Sequence, residues 1–539
     1  TVQGIANRRG PHVVVESPRS ERSGEVLGTW HWLETFHAGG EWLEDRGFRA
    51  FSDVAELLPP RVAVGLPEML NRISVRGLVV FDPDVPASSN VAVSLAAREG
   101  LAVTGPDGLM WVQQRCGKIP IVHDLRGRFR GKGDAHRWLI ENLLRGRSDL
   151  RLMSYVMDAW RRDAGGSEDG MDVEGMDMVI ASGGVAFDLS PWRDEVPVDD
   201  PGQTPGQDAK LWDDLFAAAA EARGGEAPLE ITGFPFWRHK YSNFGSAGGS
   251  RRPVEAEWQA VWRLSPHGTF LNPLIAPNMS FHRYAPLPNN LRQPDPGPPP
   301  PLENKTYVCL HLGDFDGGYG VYRRLPRLWE DPRRGELPLG WGINPNMARC
   351  YPDIIGHVYA TRTPNDHFVA DASGAGYVNP NRVRAGLEFG LWRRFSTHWY
   401  RRLDYTLSPM VLDQNPPTPA VLDAMSDFSH GGAAFLIENR QGKEVPRVEP
   451  KLWAGMPITR LEDLSYAESD VELVDWILRY AEGDPTDGPA FHIFRFEWRA
   501  PSVIFDTFRE VQRRAGSREW VALHPRQWFR LLKRWLSAS

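Results

Sequence analysis

The sequence lacks the features that mark several classes of protein and of binding site. No run approaches 18 consecutive apolar residues, so no transmembrane helix is predicted. Only three cysteines occur, far apart and without a CxxC pair, so we expect neither a disulfide framework nor a cysteine zinc site. GxGxxG, GxxxxGK[ST] and HExxH motifs are also missing. We therefore expect no nucleotide site, no metal and no cofactor.

Positive charge is modest and scattered along the chain. The 539 residues include 62 Lys and Arg against 69 Asp and Glu, so the formal net charge is −7. Because phosphate binding needs clustered positive charge, we expect no nucleic-acid partner. The apolar fraction of 41% is too high for a disordered chain. The length predicts two to four domains, or one large barrel with attachments.

The first part of the chain alternates short apolar runs with helical patterns. Residues 78–82, 101–104 and 120–125 are apolar segments of strand length, and a helical pattern lies between the first two. This alternation predicts two small α/β domains, over residues 1–70 and 71–175.

From residue 178 onward the alternation becomes regular. Eight apolar segments predict strands, most of them followed by a helix, and the helix from about Arg382 carries an apolar stripe of Val383, Leu387, Leu391 and Phe395. This pattern is typical of a (β/α)8 TIM-like barrel, which we expect over residues 176–539. An open doubly wound sheet is the competing interpretation. The eight segments are residues 179–189, 229–237, 270–281, 306–312, 339–343, 367–371, 405–412 and 433–438.

The ends of these predicted strands are rich in carboxylates. In a (β/α)8 barrel the active site lies at the C-terminal ends of the strands. A ring of carboxylates there favours glycosidic bond cleavage, which needs one protonated and one ionised carboxyl group. The 21 Trp residues supply rings that stack on sugars as well as filling cores. The candidates at these ends are Asp314, Asp316 and Glu438 as catalytic groups, and Trp237, Asn344 and Asp413 as substrate-binding groups.

The segment after the fourth predicted strand is the most informative. Asp314 and Asp316 are two residues apart, so continued strand geometry would turn both side chains to one face, with Cα atoms about 6.6 Å apart. Glycines behind them allow a ligand to approach the backbone closely. Two other interpretations stay open. The carboxylates bind a cation together with His311, or they are solvated turn residues that cap the next helix.

A second candidate segment, SGAGYVNP, follows the sixth predicted strand. Gly374 and Gly376 leave a loop with few side chains, whose backbone N–H groups can bind substrate together with Ser373 and Tyr377. The alternative interpretation is a loop shaped only to lead into the long helix.

The same segment is similar to the signature of a family named the GxGYxYP putative glycoside hydrolases. Gly374, Gly376, Tyr377 and Pro380 match the signature, whereas Asn379 stands where it has a second Tyr. Residues 2–8, 124–129 and 233–241 also resemble this family. The resemblance implies N-terminal α/β domains packed on a C-terminal barrel that resembles those of glycosidases.

The loop of Asp314 and Asp316 resembles an Asp-Gly-Asp-Asn segment of that family. Both carboxylates are kept, while Phe315 and Gly317 replace the Gly and the Asn. We therefore predict a glycoside hydrolase that cleaves an oligo- or polysaccharide by carboxylate general acid–base chemistry. Two alternatives are a non-catalytic carbohydrate-binding scaffold and a polysaccharide lyase that uses Tyr377 as its base.

The start of the chain bears on location. The first residue is Thr1 rather than Met, as expected where a signal peptide has been removed. We therefore expect an extracellular or cell-envelope location.

Overall fold

The structure is a computed structural model that describes residues 1–10, 75–116, 118–156, 175–191, 204–225, 227–233, 260–272, 278–371, 374–438 and 447–538. Most of the domain predicted over residues 1–70 lies outside the described residues. The chain divides into two compact units, residues 1–286 with 349–353 and residues 287–348 with 354–539. The predicted boundaries after residues 70 and 175 both fall within the first unit.

The first unit contains two parallel sheets. Its described strands are β1 (Leu78–Val80), β2 (Ala102–Thr104), β3 (Ile121–Asp124), β4 (Leu152–Tyr155), β5 (Val185–Phe187), β6 (Leu229–Thr232) and β7 (Thr269–Asn272). The strand orders are β2-β1-β3 and β5-β4-β6-β7, and every pairing is parallel. The three strands predicted over residues 78–125 are confirmed and share one sheet.

Helices connect most of these strands, which is how parallel neighbours are joined. In the first unit the described helices are Val2–Ala6, Ser88–Glu99, Pro106–Arg115, Lys132–Leu139 with a π-turn at Ile140–Leu144, Met176–Ser182, Gln207–Ala222, the 3₁₀ turn Ser265–His267 and Met279–His282.

Residues 179–189 depart from the predicted strand. The segment starts inside the helix Met176–Ser182, and only Val185–Phe187 is a strand. Gly175 and Gly183 flank the helix with φ angles of 86° and 63°, which glycine adopts without strain. The Val and Ile of this segment favour a strand locally, but tertiary packing overrides so weak a preference.

The second unit also has two sheets. Its described strands are β8 (Thr306–Phe315), β9 (Leu339–Ile343), β10 (Asp366–Val369), β11 (Leu407–Asp413), β12 (Gly432–Glu438), β13 (Lys451–Trp453), β14 (Met456–Arg460), β15 (Glu462–Asp463), β16 (Ala490–Glu497) and β17 (Trp520–Ala522). One sheet has the order β10-β9-β8-β16-β15, with β17 also on β8, and the other β11-β12-β14-β13. Among the described strands of this unit, only β13 and β14 pair antiparallel.

Backbone hydrogen bonds join these two sheets at both ends. The N–H of Ala370, just after β10, donates to Leu407 of β11 at 3.3 Å. The N–H of Leu461, between β14 and β15, donates to Phe435 of β12 at 3.0 Å. Both sheets also share one buried core with the last helix, formed by Tyr307, Cys309, Val369, Leu407, Ala434, Leu461, Ile493, Leu523, Trp528, Phe529, Leu531 and Leu532.

The eight strands predicted over residues 178–438 do not share one sheet in the described ranges. The first three are β5, β6 and β7, which pair with β4 in the first unit, whereas the other five are β8 to β12 in the second. Alternating strands and helices predict parallel sheets, but alternation does not decide which sheet a strand joins. The mixed α/β class with parallel sheets is confirmed.

The helices of the second unit are mostly amphipathic. The long helix begins at Leu387 rather than Arg382, and the predicted stripe is wrong at Leu387, whose exposed fraction is 60%. Leu391, Trp392 and Tyr400 form its buried side instead. The helices are Leu325–Trp329 preceded by a π-turn at Gly320–Arg324, Met347–Cys350 (partly in the first unit), Pro352–Thr361, the 3₁₀ turn Pro380–Arg382, Leu387–Leu403, Pro419–Phe428, Asp470–Tyr480, the 3₁₀ turn Ala481–Gly483, Pro501–Arg514 and Pro525–Ala538.

Candidate active site

Polar side chains cluster where four neighbouring strands of the second unit end. β10, β9, β8 and β16 are adjacent and parallel, so their carboxyl ends lie at one edge. Glu497 at the end of β16 is directly opposite Gly313 of β8. The residues at this edge are Asp314 and Asp316 after β8, Asn344 after β9, Asp371 after β10, and Arg495 and Glu497 on β16.

The backbone of Asp314 departs from strand geometry. Its φ angle is 78°, and the register between β8 and β9 shifts between Leu312 and Phe315. The spacing argument that put Asp314 and Asp316 on one face assumed an extended chain, so it does not hold here. The N–H of Asp314 donates to Oδ2 of Asp371, and its carbonyl oxygen accepts from the indole N–H of Trp498 at 2.9 Å.

Arg495 is the cation at the centre of this cluster. Its Nη2 lies 3.3 Å from Oδ1 of Asp314, and its Nη1 lies 3.2 Å from Oδ1 of Asp463 and 2.6 Å from the hydroxyl of Ser465. The side chain of Arg495 is only 8% exposed. Burial opposes its charge, but the carboxylates of Asp371, Asp463, Asp314 and Glu497 outweigh that effect and raise the pKa of Arg495.

At the carboxyl group of Asp314, in contrast to Arg495, burial and the neighbouring charges together favour the uncharged form. Burial first, and then the negative charges of Glu497 and Asp316, raise the pKa of Asp314 well above its usual range, although Arg495 acts the other way. Its side chain is still 28% exposed, so a ligand can reach it. The carboxyl group of Asp314 therefore keeps its proton at pH values at which an ordinary aspartate is ionised.

Asp371, which accepts a hydrogen bond from the N–H of Asp314, is the carboxylate of this pair that stays ionised. Burial acts to raise the pKa of Asp371, but His311 and Arg495 outweigh burial and lower it. Nε2 of His311 lies 3.7 Å from Oδ1 of Asp371, and both side chains are almost fully buried. The described residues contain no group of three or more His, Cys, Asp or Glu side chains that could hold a metal ion. This finding does not favour the cation interpretation of Asp314, Asp316 and His311.

Two glycines leave room for these buried groups. A Cβ atom on Gly342 of β9 would lie 2.7 Å from Cε1 of His311 and 3.0 Å from Cγ of Asp371. A Cβ atom on Gly313 would lie 2.8 Å from Nε of Arg495. Real Cβ atoms do not approach other atoms as closely as 2.7–2.8 Å, so a side chain at either position would displace a group of the cluster.

Asn344 ties the end of β9 to the loop of Asp316. The N–H of Asn344 donates to Phe315 at 3.1 Å, and its Nδ2 lies 3.5 Å from the carbonyl oxygen of Asp316. Asn344 is fully buried, and Asp316 is half-buried. The structure thus brings together Asp314, Asp316 and Asn344, three of the predicted site residues.

Asp413 and Glu438 form a second pair of predicted residues. They end β11 and β12 and are directly opposite each other in the parallel register. The N–H of Gln414 donates to the carbonyl oxygen of Glu438 at 3.0 Å. Asp413 is buried and Glu438 half-buried, so both strands end in carboxylates at the carboxyl edge of the other sheet.

The glycine-rich loop packs inward. Gly374 has a φ of 100°, and a Cβ atom there would lie 3.2 Å from the hydroxyl of Ser396 on the long helix. Gly376 is buried, and Tyr377 is only 6% exposed. Trp237 and Ser373, the other predicted binding residues, lie outside the described residues.

Four residues of the cluster were not among the predicted site residues: Asp371, Arg495, Glu497 and Trp498. For Arg495 and Glu497 the signal in the sequence is charge inside an apolar strand, because these residues alternate with Phe494 and Phe496. A half-buried strand read in isolation gives the same pattern. The charge gains its meaning only when β16 is known to pair with β8.

Residues 304–533, which carry this cluster, match the GxGYxYP putative glycoside hydrolase C-terminal domain. Residues 75–147 match the GxGYxYP_N second domain, and the two matches together span more than half of the chain. The chain belongs to the GxGYxYP family. The resemblance seen in the sequence is thereby confirmed, and every GxGYxYP signature residue except the second Tyr is present.

The GxGYxYP chain is also similar to a solved structure over nearly its whole length. A crystal structure described as that of a putative hydrolase from Bacteroides thetaiotaomicron VPI-5482 is 14% identical, with a TM-score of 0.66, and the match covers 99% of this chain and 91% of the other. At that identity the likeness extends to the fold alone. No curated protein matches the chain. No helix within the described ranges is long and apolar enough to cross a membrane.

Proposed function

We propose that this GxGYxYP chain is a glycoside hydrolase and that Asp314 is its general acid. The observation that carries the proposal is a partly exposed carboxyl group, at the carboxyl end of a parallel strand, whose pKa is raised by burial and by Glu497 and Asp316. Glycosidic cleavage requires such a protonated carboxyl beside an ionised one. The family's name, the GxGYxYP putative glycoside hydrolases, agrees with this chemistry.

Asp316 supplies the second carboxylate in this proposal. It acts on Asp314 through its negative charge and belongs to the same loop. Asp371 is less suited to that role, because its oxygens already accept from the N–H of Asp314 and face Arg495 and His311. Glu497 is the competing second carboxylate, since it also acts on Asp314 and is half-buried.

We propose further that the second unit is a closed, barrel-type arrangement of parallel strands. The hydrogen bonds from Ala370 to Leu407 and from Leu461 to Phe435 support closure, as does the core shared by both sheets. In such a barrel the ends of β8 to β12 and β16 face one mouth. Asp413 and Glu438 would then bind the sugar rings opposite Asp314.

The proposed substrate is an oligo- or polysaccharide outside the cytoplasm, bound at the carboxyl ends of these strands beside Asp314. Tyr319 lies 5.9 Å from Trp498 between ring centroids, and the guanidinium of Arg324 lies 4.8 Å from the Trp498 ring. Because these neighbours pack against the Trp498 ring, we assign that ring no direct contact with the sugar. The buried position of Tyr377 does not favour a lyase with that residue as base.

A panel of glycans tests the proposal, with reducing ends measured after incubation with the full chain. We expect Asp314→Asn and Asp316→Asn each to lower turnover by about 100-fold or more, since acid–base assistance is worth about 10²–10⁴. Activity should also fall as the pH rises through the pKa of Asp314. The control is Asp506→Asn, on an exposed surface carboxylate that pairs with Arg333. Near-normal turnover in both site variants would contradict the assignment. Loss in Asp314→Asn and Glu497→Gln, but not in Asp316→Asn, would move the second role to Glu497.

A further inference from the structure

Two residues with unusual backbone angles touch at the candidate site. Asp314 has a φ of 78° and Trp498 a φ of 44°, both in the left-handed region that residues with a Cβ atom avoid. Trp498 directly follows β16, the strand that pairs with β8 along most of its length. Its indole N–H donates to the carbonyl oxygen of Asp314. The two residues with a positive φ are therefore joined directly by a hydrogen bond.

Positive φ angles elsewhere in the described residues include ordinary cases. Asp404 is the C-cap of the long helix, where this conformation is common, and Asn278 is an asparagine, a residue type that adopts it more readily than most. A bulky residue such as Trp498 in the same region is a genuine outlier. Backbone strain of this kind persists only where surrounding groups fix it, and it concentrates at functional sites.

Both backbone polar groups of Asp314 are bound by side chains that follow other strands of the same sheet, Asp371 after β10 and Trp498 after β16. Asp371 accepts from the N–H, and Trp498 donates to the carbonyl oxygen. Asp371 is itself held in place, since it is buried, faces His311, and occupies the space that Gly342 leaves open. The neighbours thus hold Asp314 from two sides in a conformation that it does not favour by itself.

We propose that Asp371 and Trp498 are positioning residues that hold Asp314 in its left-handed conformation and so aim its carboxyl group at the scissile glycosidic oxygen. The aiming rests on the proposed function, whereas the holding of the backbone does not. Without these two contacts, Asp314 would relax to a negative φ, and its carboxyl group would turn away from its present position.

The surroundings make the orientation of this carboxyl group matter. Burial and the nearby carboxylates raise its pKa, so a released Asp314 that is better solvated would titrate at lower pH. The titratable and charged groups that face this arrangement are Arg495 and Glu497 on β16, Asp371 after β10, His311 on β8, Asp316 in the following loop and Asp463 of β15.

Kinetics of the full-length protein test the aiming. Trp498→Phe keeps an aromatic ring but loses the N–H donor. We expect its kcat to fall by about 10-fold or more with KM within about 3-fold, because a misplaced group costs rate rather than binding. The alkaline limb of its pH–rate profile should move to lower pH. Asp371→Ala should behave alike, and Asp371→Asn, which keeps an acceptor oxygen, should recover most of kcat. A wild-type kcat and pH profile in Trp498→Phe would overturn the proposal, even if Asp371→Ala does not fold.

Thermal unfolding tests the holding without any substrate. Asp314→Gly relieves a left-handed residue, whereas Asp314→Ala does not, so the Gly variant should have the higher Tm. When Trp498→Phe is added to each variant, the Tm values of the Gly and Ala variants should move closer together, because residue 314 is then free to relax. An unchanged difference would overturn the holding role. If the wild type cleaves no glycan but the Tm pattern holds, the proposed function fails while the holding stands.

Discussion

A single buried histidine at the opposite end of β16 shows how strongly this unit depends on paired charges. Nδ1 of His492 lies 2.9 Å from Oε1 of Glu462, and its Nε2 lies 2.8 Å from Oδ1 of Asp484. Burial alone would lower the pKa of His492, but the two carboxylates outweigh burial and raise it to about 9. The imidazolium is therefore the form that the folded protein stabilises.

The sign of the resulting pH dependence follows from linkage. Because the pKa of His492 is higher in the folded than in the unfolded protein, its contribution to stability is complete below the unfolded value of 6.5. That contribution is lost as the pH rises toward 9. We expect the free energy of unfolding of the wild type to exceed that of His492→Gln by on the order of 3 kcal/mol near pH 6, at about 1.4 kcal/mol per pKa unit. The difference should shrink toward about pH 9.5. Denaturant unfolding at several pH values measures this, and the exposed His398→Gln is the control. A difference that grows with pH would contradict the pairing.

At the residue level, the sequence singles out Asp314, the proposed general acid, but not the groups that raise or lower its pKa. Asp314 was found because two carboxylates follow an apolar strand and precede glycines. Arg495 lies 181 residues further on, and no local spacing connects it to Asp314. Its role depends on β16 pairing with β8, which is a long-range property. The strain at Trp498 also has no signature in composition or periodicity.

At the element level, most strands were predicted to within a few residues. Short apolar runs bounded by glycine, proline or acidic residues mark them, as at Leu339–Ile343 and Gly432–Glu438. Helix faces were predicted less well, because the long helix carries aromatic residues on more than one side. Leu387 fits the four-residue spacing, yet it lies in the first turn and faces solvent.

Strand β9 offers a matched pair of substitutions on one element. Gly342→Ala would press on His311 and Asp371, whereas the nearest atom to a Cβ at Gly340 is Cγ of Pro525, 3.3 Å away. We expect Gly342→Ala to lower kcat by about 10-fold or more and to cost about 1–3 kcal/mol of stability through overpacking. Gly340→Ala, the control, should change both much less. Steady-state kinetics and thermal unfolding check this, and equal effects of the two variants would refute the role given to Gly342.

At the scale of the whole molecule, the path of the chain limited what the sequence could predict. The alternation of strands and helices runs through both units without a break, so one continuous barrel was a natural interpretation. β4 precedes the predicted barrel, and β16 follows the last of its eight strands. Strand pairing, which depends on contacts far apart in sequence, distributed the eight strands over the two units instead.

The same chain path predicts that the second unit is incomplete by itself. Residues 349–353 are part of the first unit, where Oδ2 of Asp353 lies 2.6 Å from Nδ1 of His282 and Sγ of Cys350 lies 3.4 Å from Oε1 of Glu230. A fragment of residues 287–539 keeps this segment but loses those partners. We expect it to lose about 2 kcal/mol or more, which lowers Tm by about 4–8 °C relative to the full chain.

Circular dichroism of the fragment and of the full chain measures that shift. Separately produced residues 1–286 should restore stability when added, because they return His282 and Glu230 to the segment that lacks them. An unrelated protein added at the same concentration is the control. A fragment as stable and as active as the full chain would instead show that the contacts of residues 349–353 within the first unit contribute nothing to the stability of residues 287–539.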